Sequence, residues 1–322
     1  MEGSPVAPDS HVFGPVPSRR LGRSLGLDLV PFKTCTHDCV YCQLGRTTDL
    51  TLERREYVPT EDVLRDLESA LQAGPPPDYI TLAGSGEPTL FEPLGELIRG
   101  IKRLTSIPVA VLTNGSLLWR PEVRVAVAAA DLVIPSLDAG DAEHFELVNR
   151  PHPDLSFADM VAGLVQFSRE YQGRLWLEVF LLGGLTARPE HVRAIAALVR
   201  RIKPRRVQLN TVARPPAELW ARPASSEELA AAAAILGEHC EVVTDYVPAV
   251  VGEAAAVGEE AVLGLLQRRP CRLEDLAAGL GLHRNEIVKY LEHLLKAGAI
   301  CAAPAGAQTY YQVARTPKAT SE

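Results

Sequence analysis

Between about residue 25 and residue 247 the chain alternates short apolar runs with longer amphipathic segments, a pattern that restricts its fold more than any other feature. Runs rich in Val, Ile and Leu at 24–32, 79–83, 109–113, 132–136, 175–182 and 207–209 read as strands. The segments 60–73, 93–105, 157–171 and 189–202 carry apolar residues at helical spacing, and the first begins with capping chemistry at Thr60 and Asp62. Strands that are continuous apolar runs, alternating with helices, argue for a parallel sheet covered by helices. The fold class is therefore α/β, built from six β/α units.

Three cysteines follow the first strand. Cys35, Cys39 and Cys42 stand in Thr-Cys-Thr-His-Asp-Cys-Val-Tyr-Cys. Thiolates are soft ligands, so a short loop with three of them can wrap an iron-sulfur cluster or a zinc ion. A structural zinc site takes four closed ligands, and only His37, inside the loop, stands near enough to be the fourth. Three thiolates leave one iron of a cluster open. After the second strand comes Gly84-Ser85-Gly86-Glu87-Pro88. Its glycines let the backbone approach a ligand closely, although the same composition also makes ordinary turns.

The spacing C-x3-C-x2-C, with Tyr41 before the last cysteine and a strand before the loop, resembles the signature of the radical S-adenosylmethionine (radical SAM) superfamily. That resemblance implies a partial (β/α)6 barrel whose ligands sit at the C-terminal ends of its strands. It implies that Cys35, Cys39 and Cys42 hold three irons of a 4Fe-4S cluster, with SAM chelating the fourth. An external electron donor then drives cleavage of SAM to methionine and a 5′-deoxyadenosyl radical, which removes hydrogen from a substrate carbon. Tyr41 occupies the place of an aromatic residue near the adenine. The loop from Gly84 through Ser85 and Gly86 to Glu87 corresponds to a family Gly-Gly-Glu that receives the methionine amino group, and departs from it at Ser85. Polar residues at the other strand ends, Asn114, Ser136, Asp138, Glu178 and Asn210, are candidates to contact SAM or the substrate. Thr-Asn-Gly at 113–115 is equally a turn, Ser-Leu-Asp at 136–138 equally a helix cap, and Glu178 equally a salt-bridge partner.

The stretch from Val12 to Lys33 resembles a group of bacterial and archaeal radical SAM proteins related to wyosine-forming tRNA enzymes; that relation does not carry over a substrate. Arg19, Arg20 and Arg23 are candidates to bind a phosphate or carboxylate near the cluster mouth, or else form a solvated turn. Lys203, Arg205, Arg206 and Arg214 form a second candidate basic patch, and 213–228 reads as a long connection before a helix at 230–236.

The whole chain has 322 residues, is 47% apolar and carries a formal charge of −7. This is enough to fill a large core, and it offers no global basic field for nucleic acid. Apolar stretches stop short of the roughly 18 residues a membrane span needs, and residues 1–24 read as a leader and arm without signal-peptide character. Six cysteines without a paired framework suit a reducing compartment, so a cytoplasmic location is expected. Cys240, Cys271 and Cys301 stand singly and are expected to pack as small apolar residues.

After the barrel at 25–247, a second domain is expected at 258–314 and a tail at 315–322. Helical patterns at 259–267, 272–278 and 283–297 precede a hairpin at 299–303 and 308–313, the order of a winged helix. Between residues 258 and 316, seven basic residues face six acidic ones, so strong DNA binding is not expected. Two function classes follow: a radical SAM enzyme acting on tRNA, a peptide or a small molecule, or an iron-sulfur sensor controlling a nucleic-acid-binding domain. A sensor has no use for the Gly84 to Glu87 loop, which favours the enzyme.

Overall fold

The computed structural model describes residues 10–18, 20–74, 76–243, 259–282, 284–305 and 308–314. The start of the expected leader, Arg19, the connection from 244 to 258, His283 and the tail lie outside them. The chain opens with an antiparallel hairpin, β1 (Val12–Ser18) and β2 (Gly22–Leu27), followed by a two-residue ladder of β3 (Thr34–Cys35) and β4 (Asp49–Leu50) within the cysteine loop. Then come α1 (Thr60–Ala73), β5 (Tyr79–Leu82), α2 (Leu94–Leu104), β6 (Val109–Thr113), α3 (Pro121–Val127) and β7 (Leu132–Pro135). Next are α4 (Ala142–Asn149), α5 (Phe157–Glu170), β8 (Arg174–Leu181), α6 (Pro189–Ile202), β9 (Arg206–Thr211), α7 (Ser226–Leu236) and β10 (Cys240–Val242).

The sheet order is β1-β2-β5-β6-β7-β8-β9-β10. Every neighbouring pair from β2 to β10 is parallel, and only β1 runs the other way. Its two ends, β1 and β10, do not pair, so the six expected units form a partial barrel with an open side. Alternation along the strands sorts side chains to two faces. Leu177, Val179 and Leu181 join the large helix-covered core with Leu67, Leu97, Phe167 and Val199. Trp176 faces the other way, packing with Leu21, Ala110, Leu132 and Ile134.

Several expectations need correction. The first strand ends at Leu27 rather than 32, because Asp28 turns its carboxylate to the Ser85 amide and Pro31 has no N–H for a ladder. The segment read as an arm contributes β1 and the start of β2. Thr60 is not the cap of α1; Glu56 accepts from both the Thr60 amide and its hydroxyl, at 2.8 Å each. Helix α7 begins at Ser226, four residues earlier than expected, because Ser225 and Glu228 form a reciprocal capping box. The sequence pattern does not mark helices α3 and α4: each spans at most eight residues, too short for a clear period.

The C-terminal elements follow the expected order: α8 (Glu259–Arg268), α9 (Leu273–Leu280), α10 (Arg284–Lys296), β11 (Ile300–Ala305) and β12 (Gln308–Val313). Their core, including Val262, Leu276, Ile287, Leu291 and Ile300, extends to Val16 of β1, with Phe13 packed against it. On the far side Arg214 lies 3.8 Å from Asp275, and the Tyr310 hydroxyl donates to the Ala213 carbonyl just beyond β9. The C-terminal elements thus touch both flanks of the open side. Among the described residues no helix is long and apolar enough to cross a membrane.

Candidate metal centre and cofactor site

The cysteine loop leaves the C-terminal end of β2 and is fastened to three neighbours. The Lys33 amide donates to the Ser85 carbonyl at 2.6 Å and the Glu87 amide to the Thr34 carbonyl at 3.2 Å, joining it to the loop after β5. Gly86 is required at that junction, since a Cβ there would lie 1.9 Å from the Thr34 carbonyl oxygen. The amides of Asp38 and Val40 donate to Arg150 and Val148, each at 3.0 Å, joining it to the end of α4. Thr36 bonds Ser116 at 2.7 Å and accepts from the Asn114 side chain at 2.7 Å, joining it to the loop after β6.

Each of the three sulfurs is met by a nitrogen donor from a different place. Lys33 Nζ is 3.3 Å from Cys42 Sγ, Asn114 Nδ2 is 3.7 Å from Cys35 Sγ, and Asn149 Nδ2 is 3.5 Å from Cys39 Sγ. Burial pushes the Cys35 thiol up to about 12 and the Cys39 thiol well above its ordinary range, with neighbouring thiols adding to the effect at Cys39. Thiols so placed are poor acids alone and gain most from a bound cation, which deprotonates a coordinating thiol outright. Three converging sulfurs, each with an N–H donor, fit an iron-sulfur cluster, whose sulfurs take such bonds. His37, the other candidate ligand in the loop, is buried: its ring meets Phe145 edge-on at 5.2 Å, and burial lowers its pKa to about 3.

The candidate polar residues fall into three groups. Glu87 is buried, and its carboxylate accepts from the Thr89 amide at 3.1 Å, the Thr89 hydroxyl at 2.6 Å, the Thr113 hydroxyl and the Asn114 amide at 2.8 Å. Four protein donors thus surround the carboxylate and fix Asn114, which serves both as a turn, accepting from the Ser116 amide, and as a donor to Cys35. Desolvation raises the Glu87 pKa despite these bonds. Gly84 has φ +142°, and a Cβ there would lie 2.0 Å from Asp28 Oδ1, the oxygen that accepts the Ser85 amide at 2.9 Å.

Asp138 is the hub of the second group. It accepts from the Tyr41 hydroxyl, from Asn149 at 2.9 Å and from the Phe180 amide at 2.9 Å. Tyr41 stacks on Phe180 with ring centroids 4.0 Å apart. Burial outweighs these bonds and lifts the Asp138 pKa to about 6. Asp138 is not a helix cap, since Asp141 caps α4. The third group lies apart from these two. Glu178 is 2.6 Å from Arg20 and accepts from Asn210 at 2.9 Å, while Ser136 bridges to Glu178 through backbone pairing. Arg20 precedes β2 and so enters from the end of the sheet opposite the cysteine loop, not at its mouth. The candidate basic patch also separates, because β9 lies between Arg205 and Arg214, and Arg214 bonds Gln43 at 3.0 Å. Cys271 is buried in the C-terminal core, as expected, and Cys240 packs against the main one.

Sequence reading missed Lys33, Asn149, Thr113 and Asp28. Lys33 adjoins the cysteine motif and has φ +63°. Nothing in the sequence marks Asn149, which α4 carries to the site from 110 residues beyond Cys39.

The family model for the radical SAM superfamily matches residues 29–199, covering both loops. A protein of Brachyspira hyodysenteriae named GTPase Obg is 40% identical over 294 residues, but this chain spans only 43% of its length. UPF0026 protein MJ1312 of Methanocaldococcus jannaschii is 38% identical over 70% of this chain and 71% of its own. A UPF0026 protein of Helicobacter pylori strain J99 is 35% identical over 93% and 96%. A solved radical SAM methyltransferase from Sphaerobacter thermophilus is 19% identical, covers 68% of this chain and 66% of its own, and gives a TM-score of 0.49. The chain belongs to the radical SAM superfamily, alongside its UPF0026 proteins.

Proposed function

We propose that this protein is an enzyme that binds a 4Fe-4S cluster through Cys35, Cys39 and Cys42 and uses it to cleave SAM reductively, so that hydrogen is taken from a substrate carbon. The observation that carries this reading is the convergence of three thiols, each beside a nitrogen donor, at the strand ends where the second loop also arrives. When bound, the cluster supplies one electron to the sulfonium of SAM. The chain's own residues bind, orient and shield. Lys33, Asn114 and Asn149 donate to the sulfurs and favour their charged form. Glu87 holds Asn114, while Asp138 with Tyr41 and Phe180 walls the site on the β7 and β8 side. The open backbone of Gly84 to Gly86 is the place for the methionine end of SAM.

The substrate class stays open among tRNA, a peptide and a small molecule. The C-terminal elements, three helices and a hairpin, suit a winged-helix-like recognition unit rather than a second chemical centre. The sensor reading is weaker because it leaves the second loop without a purpose. Anaerobic reconstitution with dithionite and SAM tests the proposal: the parent is expected to hold four irons and release 5′-deoxyadenosine, and Cys39→Ala to lose most of both. Undiminished iron and cleavage in Cys39→Ala would falsify it.

A further inference from the structure

Arg268 ends α8, yet its guanidinium reaches back to the first β/α connection. Its Nε lies 2.6 Å from Asp28 Oδ2, its other nitrogens donate to the carbonyls of Gly264 at 2.9 Å and Ser10 at 3.2 Å, and the group stacks 5.0 Å over the Phe13 ring. Both partners are shielded, with side chains 19% and 14% exposed. A charge-assisted bond in such a place is stronger than a neutral one or a surface pair. The second oxygen of Asp28 accepts the Ser85 amide at 2.9 Å, an approach that only a glycine at position 84 permits. The Ser85 carbonyl in turn accepts the Lys33 amide at 2.6 Å, and Lys33 Nζ meets Cys42. An unbroken line of contacts therefore runs from the C-terminal elements through Asp28 and Ser85 to the cysteine loop. It borders a cleft of about 380 Å³ between Phe32, Leu44 and Ser85 on one side and Arg268, Arg269 and Val313 on the other.

We propose that Arg268 is a positioning residue for the SAM loop, so that the C-terminal elements complete the cofactor site instead of standing apart from it. The inference rests on the functional reading above. Without the guanidinium, Asp28 keeps a charge that water must solvate, its carboxylate is free to turn, and the Ser85 amide loses its fixed acceptor. The loop then samples conformations that do not receive SAM, which lowers apparent affinity in proportion to the competent fraction.

Two measurements test this on the full chain. In reconstituted protein, Arg268→Gln is expected to keep its iron and weaken SAM binding at least about tenfold, read from the change SAM makes in the reduced cluster's electron paramagnetic resonance spectrum. Arg268→Lys, which keeps the charge but not the fork, should recover part of the loss. Hydrogen exchange of the peptide covering 83–87, without SAM, is expected to speed up in Arg268→Gln and in Asp28→Asn, the latter leaving the Arg268 bonds to Gly264 and Ser10 in place. Arg284→Gln, which breaks only the exposed pair with Glu274, should leave both readouts unchanged. Exchange as slow as the parent's in both Arg268→Gln and Asp28→Asn overturns the inference whatever the parent does with SAM. A parent that binds iron but not SAM overturns the functional reading instead.

Discussion

At the scale of single residues, the site is built from polar groups that are costly to bury and therefore mutually dependent. Burial shifts Asp138 in the direction this cost predicts. Its pKa stands at about 6 against an ordinary 3.8, so the fold disfavours its charged form. The folded chain holds the proton more tightly than the unfolded chain, and the resulting stability is complete below about pH 4 and lost as pH rises through about 6. The shift corresponds to at most about 3 kcal/mol. In the metal-free protein, Asp138→Asn should therefore gain stability relative to the parent as pH rises from about 4 to 7, measured by denaturant unfolding at each pH. Parallel profiles would remove Asp138 as the cause. The sequence made Asp138 a candidate because it ends a strand. It could not reveal Asn149 or Arg268, since contacts across 110 and 240 residues depend on which strands become neighbours.

At the scale of elements, strands and helices were legible where burial is continuous and hidden where a cap or a bond decides. The runs at 79–83 and 109–113 match β5 and β6 nearly residue for residue, because both faces of a parallel strand are apolar. The boundary at Leu27 was not legible, because Asp28 becomes a turn residue only when the Ser85 amide arrives beside it. The junction between the two loops is tightly fitted. Gly86→Ala would press a methyl group onto the Thr34 carbonyl, and backbone on that side cannot step aside without moving Cys35. Overpacking of this kind costs about 1–3 kcal/mol. The variant is expected to melt lower and retain less iron after reconstitution, whereas Gly74→Ala, with nothing within 4 Å, should do neither. Equal iron content in Gly86→Ala and parent would show that the loops shift together without harm.

At the scale of the whole molecule, the open barrel and the C-terminal elements share an apolar surface and, among the described residues, two ion pairs, Arg268 with Asp28 and Arg214 with Asp275, which makes their separation expensive. Arg268, Arg272 and Arg284, three of the seven basic residues in the C-terminal region, are paired with Asp28, Asp275 and Glu274. Those charges are therefore poorly placed to grip phosphates, and the formal charge of −7 adds no long-range attraction. Removing everything from residue 258 onward would uncover Val16 and Phe13 on β1 and leave Asp28 without its guanidinium. The three donors to the cysteine sulfurs, Lys33, Asn114 and Asn149, all belong to the part that remains. The truncated chain is accordingly expected to keep the capacity to bind iron, to bind more of a hydrophobic dye than the parent, and to lose SAM affinity to the extent proposed for Arg268→Gln. Iron analysis, dye fluorescence and SAM titration separate these effects. A truncated chain with parental SAM affinity would show that the barrel alone holds the cofactor and that the C-terminal elements serve only the substrate.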